Sequence, residues 1–204
     1  MNRIIFFFLL ISCCAADICV AQEQDDNHKT LTWSVRGGLN IANHVPMSLL
    51  SDPNYKWLCA FNLGVVCDIR KSETFAGRTG LYYSAKGFKN SMVPYTHLNY
   101  IEMPVLAVFQ KSLGNNVRLE FQSGVYFAYG ICGEAKVPTS KGYYYEPCFK
   151  DNNSVSFKRF DWGWNVGAGI NIDHIYVGCA YEVSAFFGKG HTNHCLMIDL
   201  GYTF

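Results

Sequence analysis

Charged side chains of both signs lie within runs that alternate polar and apolar: Arg36, Asp68, Arg78, Lys86, Glu102, Arg118, Glu120, Arg159, Asp161, Glu182 and Asp199. In a strand, successive side chains point to opposite faces, so this spacing gathers the charges on one face. Charges enclosed on such a face must pair or remain very costly. Two chemistries follow: cross-strand ion pairs that fill a closed lumen, or a polar path for an ion or a substrate. A second set suits acyl chemistry on lipids. His44, His97, His191 and His194, with Ser84, Ser91 and Ser184, fall near strand ends, where a general base and a nucleophile could meet at a rim. Their spacing specifies no triad. The His191-x-x-His194 pair is too small a donor set to define a metal site. No G-x-S-x-G, H-E-x-x-H, Walker or dinucleotide motif is present. No cofactor, metal ligand or catalytic residue is therefore expected.

The elements that must hold these residues are strands. Eight segments alternate with period 2: 33–41, 59–70, 75–86, 98–110, 117–132, 159–172, 174–183 and 196–204. The sixth is the cleanest. Phe160, Trp162, Trp164, Val166, Ala168, Ile170 and Ile172 oppose Arg159, Asp161, Gly163, Asn165, Gly167, Gly169 and Asn171. Long connections (42–57, 87–97, 133–158 and 185–194) alternate with short ones at 71–74, 111–116 and Asp173. Outer-membrane barrels show this asymmetry, with short periplasmic turns and long extracellular loops. The polar face is loaded with glycine, including Gly38, Gly64, Gly80, Gly124, Gly163, Gly167, Gly169, Gly178 and Gly201. Glycine weakens an exposed strand and often marks close approach, which a narrow eight-strand lumen supplies. The apolar face carries no charge through mid-strand, as lipid requires. Trp33, Trp162, Trp164, Tyr83, Tyr129, Tyr181 and Tyr202 are candidates for aromatic girdles. The predicted fold is all-β, an eight-stranded antiparallel up-and-down transmembrane β-barrel. Were the faces reversed, the chain would be a lipocalin-like periplasmic barrel holding a small hydrophobic ligand.

Composition agrees. The chain has 204 residues, half of them apolar and only 16% charged, against about 25% charged in a soluble domain. Its 17 basic and 16 acidic side chains leave a net charge of +1, which gives no reason to expect a nucleic-acid partner. Asn2 and Arg3 precede the apolar run Ile4 to Ile11 and a small-residue stretch, a secretory signal peptide with cleavage after Ala21. Residues 1–21 are then leader and 22–204 the barrel domain. Leu10-Ile11-Ser12-Cys13 resembles a lipoprotein box that would instead lipidate Cys13. Cleavage after Ala21 leaves Cys59, Cys67, Cys132, Cys148, Cys179 and Cys195. Of these, Cys132 and Cys148 flank one long connection and are the disulfide candidate; otherwise all six are small apolar fillers. That connection, 133–158, also holds Tyr143, Tyr144 and Tyr145 among lysines. It suits contact with a protein or glycan, or else folds over the barrel mouth.

The blocks Gly80-Leu81-Tyr82-Tyr83-Ser84-Ala85-Lys86-Gly87 and His97-Leu98-Asn99-Tyr100-Ile101-Glu102-Met103-Pro104 resemble paired blocks of the PorT-like outer-membrane β-barrel proteins of the Bacteroidetes. Arg159-Phe160-Asp161-Trp162-Gly163 and the closing Gly201-Tyr202-Thr203-Phe204 are similar to two further blocks of that family. The resemblance covers roughly residues 32–204. It implies an eight-stranded barrel in the outer membrane of a Gram-negative bacterium, in contact with outer-membrane lipid. The terminal Tyr202 and Phe204 look like the signal read by the barrel-assembly machinery. The namesake's association with secretion does not carry over, because these blocks build barrels. Three roles stay open: a surface or envelope protein whose long loops meet a partner, a narrow pore or transport accessory, and a rim-site lipid enzyme.

Overall fold

A computed structural model describes residues 30–46, 55–70, 72–90, 93–114, 116–150, 156–185 and 191–204. The leader and Cys13 lie outside the described residues, as does Ser91. Among those residues the structure is all strand: β1 (Thr30–Pro46), β2 (Tyr55–Arg70), β3 (Phe75–Asn90), β4 (Tyr95–Gly114), β5 (Val117–Thr139), β6 (Gly142–Pro147), β7 (Phe160–Ile172), β8 (Ile175–Ser184) and β9 (His191–Thr203). Every pairing is antiparallel between chain neighbours, and β1 pairs with β9 to close an eight-stranded barrel. β6 lies outside the cylinder and pairs only with the upper end of β5.

Registry fixes the shape. From Trp33, cross-strand partners run through Cys67, Thr79, Val105, Val125, Trp164, Val183 and His194 and return to β1 at Asn43. The circuit closes ten residues further along β1, from position 33 to 43. Closure with such a stagger tilts strands by roughly 40° and leaves an interior that side chains can just fill. The lower turns are tight. Ile172 pairs with Ile175 across Asp173 (φ 53°), and Asn116 (φ 67°) turns β4 into β5. Asn and Asp tolerate the left-handed conformation that such turns demand.

The faces fall as the alternation predicts. Trp33 is 53% exposed and Leu200 63%, while Arg36, Arg78, Lys86 and Glu102 are buried. This is the reverse of a lipocalin, whose cavity would be lined by the apolar set. Phe75, Phe109 and Phe121 are direct cross-strand neighbours at the lower level. Tyr83, Ile101, Tyr129 and Phe160 are neighbours at the upper level. Among the described residues, the outward positions between these levels carry no Asp, Glu, Lys or Arg.

Two expectations change. The strands run further upward than the period-2 signal did: β3 reaches Asn90, β4 starts at Tyr95, and β9 starts at His191. The connection 133–158 begins as strand, because β5 continues to Thr139 and folds back as β6. Above the membrane both faces of a strand meet water, so the alternation fades while backbone pairing continues. The Cys132–Cys148 disulfide is absent, and both thiols are free. Cys148 pairs with Gly133, the Cys148 N–H donating to the Gly133 carbonyl at 2.9 Å. The neighbouring Cys132 side chain points outward, while Cys148 is fully buried. That burial, with Glu134 and Glu146 nearby, pushes the Cys148 thiol up to about 12, far from a reactive thiolate.

Glycine tests the crowding directly. A Cβ on Gly38 would overlap the Ile198 carbonyl oxygen and the Asp199 backbone, whereas one on Gly77 meets nothing within 4 Å. Gly38→Ala should lower unfolding stability by about 1–3 kcal/mol, and Gly77→Ala should change it by less than about 0.5 kcal/mol. Urea titration of the refolded barrel, followed by tryptophan fluorescence, checks both; equal effects would count against the crowded lumen.

Candidate functional site

The lumen is built in layers. In the lower layer Arg78 of β3 donates from Nε and Nη2 to both oxygens of Asp68 on β2, at 2.7 and 2.8 Å. The same guanidinium reaches Glu120 Oε2 at 2.7 Å and Gln122 Oε1 at 2.8 Å on β5. Arg36 lies 3.8 Å from Glu120 and stacks on the Tyr176 ring, 3.6 Å from its centroid. Tyr176 has room for this because its ring occupies the space that Cβ atoms on Gly169 and Gly178 would take. Glu120 also accepts from Gln110 at 3.2 Å and from Asn171.

In the upper layer Lys86 sits between Glu102 (2.7 Å) and Glu182 (2.6 Å), over the Tyr126 ring. Amides join the layers. Gln122 donates to Asn165 at 3.2 Å, and Asn165 donates to Glu182 at 2.8 Å. Asn62 donates to Asn40 and to Asp199, and Asn40 donates to Ser84. The space left among Arg36, Arg78, Tyr82 and Glu102 is about 20 Å³, room for about one water. Above the network an apolar cluster of Leu98, Tyr100, Tyr126, Ala128, Ala135 and Cys148 fills the mouth, with Phe149 and Phe157 against it. The segment after β6 thus folds over the barrel.

Of the charges expected in the lumen, Arg36, Asp68, Arg78, Lys86, Glu102, Glu120 and Glu182 form the ion-paired plug. Asp199 is held by Asn62, and Asp161 by Ser184 and Asn193 rather than by a cation. One placement is corrected. Arg159 lies just before β7, exposed at the upper rim, where it donates to the Gly130 carbonyl at 2.7 Å and covers Phe149. Arg118 stands half-buried at the lower mouth, and no acid among the described residues pairs with it. The plug members that charge alone did not mark are Asn40, Asn62, Gln122, Asn165 and the ring platforms Tyr126 and Tyr176. Their signal was registry, since each shares the inward face.

Among the rim candidates, Ser184 and His44 are joined through Asp161 and Asn193, while Ser84 and His194 bond elsewhere. Ser84 accepts from Asn40, and Ser184 donates to Asp161. His44 bonds Asn193 and stacks on Phe88, and His194 bonds the Tyr181 hydroxyl. His97 lines a separate upper cleft of about 460 Å³ with Tyr95, Glu134, Tyr145 and Lys150. The side chain of His191 lies outside the described residues. No group of three or more His, Cys, Asp or Glu among the described residues could hold a metal ion. Beyond the mouth, the β5–β6 hairpin lifts Tyr143 (59% exposed), Tyr144 and Tyr145 (61%) into solvent, with Lys136 over the Tyr143 ring. At the other end Tyr202 and Phe204 are exposed and meet edge to face.

A closed cylinder with hydrocarbon outside and paired charge inside defines an integral β-barrel of the outer membrane. Residues 20–184 match the family model described as outer membrane protein beta-barrel domain, and the chain belongs to that family. No curated protein matches. Similar solved structures include Ail, the attachment invasion locus protein of Yersinia pestis. It is 17% identical at a TM-score of 0.47, over 85% of this chain and 98% of that one. OprG from Pseudomonas aeruginosa is 12% identical at a TM-score of 0.46, over 89% and 99%. Neisserial surface protein A is 11% identical at 0.46, over 86% and 100%.

The plug makes a sharp energetic prediction. Lys86→Met leaves two carboxylates buried without their cation and should cost about 3–5 kcal/mol. Adding Glu102→Gln and Glu182→Gln should recover most of it, because the buried charge is then gone. Guanidinium unfolding of the single and triple variants reads the difference; a triple variant as weak as the single one would contradict the ion-pair account.

Proposed function

We propose that this protein is a non-conducting, non-enzymatic surface barrel whose β5–β6 hairpin contacts a protein or glycan partner outside the cell. The observation that carries this reading is the division of labour along β5. Its lower part is locked into a filled lumen, while its upper extension pairs with β6, which presents three consecutive exposed tyrosines beyond the barrel. Tyrosine supplies large contact area at low entropic cost, and its hydroxyl bonds polar partners. The neighbouring Lys136 and Lys141 favour an acidic glycan or an acidic protein patch. The filled lumen argues against the pore, and the Ser184 hydroxyl donating to an acid, Asp161, rather than to a histidine argues against the rim enzyme.

Within the barrel family, the chain's affinity to the PorT-like branch is supported by one feature. Its two resembling blocks are the two strands of the β3–β4 hairpin, and their charged members Lys86 and Glu102 bond each other. Tyr202 and Phe204 close the last strand as an aromatic pair for the assembly machinery.

Substituting Tyr143, Tyr144 and Tyr145 together by Ser should abolish binding of intact cells to glycan arrays or host-protein arrays. Heat-dependent mobility on gels should be unchanged, because the hairpin tip stands clear of the barrel. Planar-bilayer recordings of the wild type should show no steady conductance. Open-channel current, or array binding that survives the triple substitution, would defeat this reading.

A further inference from the structure

The lower layer of the lumen contains four arginines, Arg36, Arg70, Arg78 and Arg118, and the carboxylates that ion-pair with arginine there are Asp68 and Glu120, with Asp199 lining the space beside Arg36. Both ion-paired carboxylates are already engaged. Arg78 takes both oxygens of Asp68, while Glu120 accepts from Arg78, Gln110 and Asn171 and faces Arg36. Arg70 and Arg118 are left over. Neither has an ion-pair partner among the described residues, and Arg70 Nε is buried without any hydrogen-bond partner. The acids on the adjoining turns, Glu73 and Asp173, are exposed and pair with neither arginine. The two guanidiniums share one cleft and repel each other, while Asp68 and Glu120 attract Arg70 without forming an ion pair with it. They also share with Ser112 the walls of two adjoining clefts, of about 370 and 480 Å³, at the short-turn end.

We propose that this lower mouth is an oxyanion site, taking a phosphate- or carboxylate-bearing ligand from the periplasmic side between Arg70 and Arg118. A guanidinium presents a planar fork that matches an oxyanion bidentately, and Ser112 adds a hydroxyl beside it. An anion placed there pairs the buried Nε of Arg70 and removes the repulsion between the two cations. The ion pairs of the plug above stay as they are, because the anion meets only the cations that they leave unpaired. The ligand therefore binds at the mouth and does not cross. Two sources share this chemistry: a soluble periplasmic anion, and a phospholipid headgroup of the inner leaflet.

Calorimetric titration of the full chain in phosphatidylcholine nanodiscs with pyrophosphate tests the site. Saturable binding of one anion per barrel is expected, weakened at least tenfold by Arg70→Gln or Arg118→Gln. Arg70→Lys, which keeps the charge but loses the fork, should fall between. Lys56→Gln, at the opposite end, should bind as wild type does. Each variant is first checked for the heat-dependent gel shift, and Arg118→Gln decides the matter should Arg70→Gln fail to fold. Repeating the titration in nanodiscs containing one-fifth phosphatidylglycerol separates the sources: competition assigns the site to a headgroup, and its absence to a soluble anion. No saturable binding, or equal binding by the Arg70→Gln/Arg118→Gln double variant, would overturn the proposal.

Discussion

The Arg78 guanidinium reaches Asp68 on β2 and both Glu120 and Gln122 on β5. Those strands are not neighbours, so the bonds run through the lumen rather than along the sheet. Backbone hydrogen bonds close the cylinder, but they do not decide what fills it. A charged side chain inside a water-poor barrel is stable only when its partners lie at bonding distance. Removing one member leaves an uncompensated charge, and this is why the plug behaves as a unit. Through Gln122, Asn165 and Glu182 the same network continues to Lys86 and Glu102. Charge on five strands is thereby fixed in one arrangement.

Space for that arrangement comes from residues with no charge. Eight strands at a ten-residue stagger leave an interior that inward side chains of ordinary size would overfill. Gly169 and Gly178 vacate the volume that the Tyr176 ring takes, and Gly64 does the same for Tyr82. Tyr176 then serves as the platform for Arg36. Large and small residues thus face one another across the wall, and Gly169 and Gly178 are part of the surface on which Arg36 rests. Polar amides complete the fill, because they supply donors and acceptors without adding further charge to be neutralised.

Much of this was legible in the sequence, for a physical reason. Lipid on one side and a polar plug on the other impose opposite chemistry on successive residues, so the eight barrel strands and the facing of every inward charge but Arg159 follow from period 2. The partners were not legible. Arg118 and Arg78 have the same alternation, and only the register between strands shows that Asp68 and Glu120 bond Arg78 and form no ion pair with Arg118. Arg159 sits one residue before β7, where the alternation still reads inward but the chain has left the barrel wall. Above the membrane the signal vanished altogether. Tyr143, Tyr144 and Tyr145 show no alternation because water meets both faces of β6.

The two ends of the barrel are finished differently, and the difference bears on where a ligand can act. At the upper end Cys148 and Phe149 pack into the mouth with Leu98 and Tyr100, and Arg159 clamps Phe149 from outside. This apolar cap keeps water from the Lys86 cluster, where a drier surrounding strengthens each ion pair. The base of the β5–β6 hairpin therefore belongs to the barrel's stability, and a substitution there would disturb folding before it disturbed any contact. Its tip is tied by backbone pairing, by the Lys136–Tyr143 contact and by bonds within the hairpin. At the lower end no apolar cap exists among the described residues, and charge meets solvent directly at Arg70 and Arg118. The upper end thus carries exposed aromatic surface on a hairpin, and the lower end fixed positive charge, with the ion-paired plug between them.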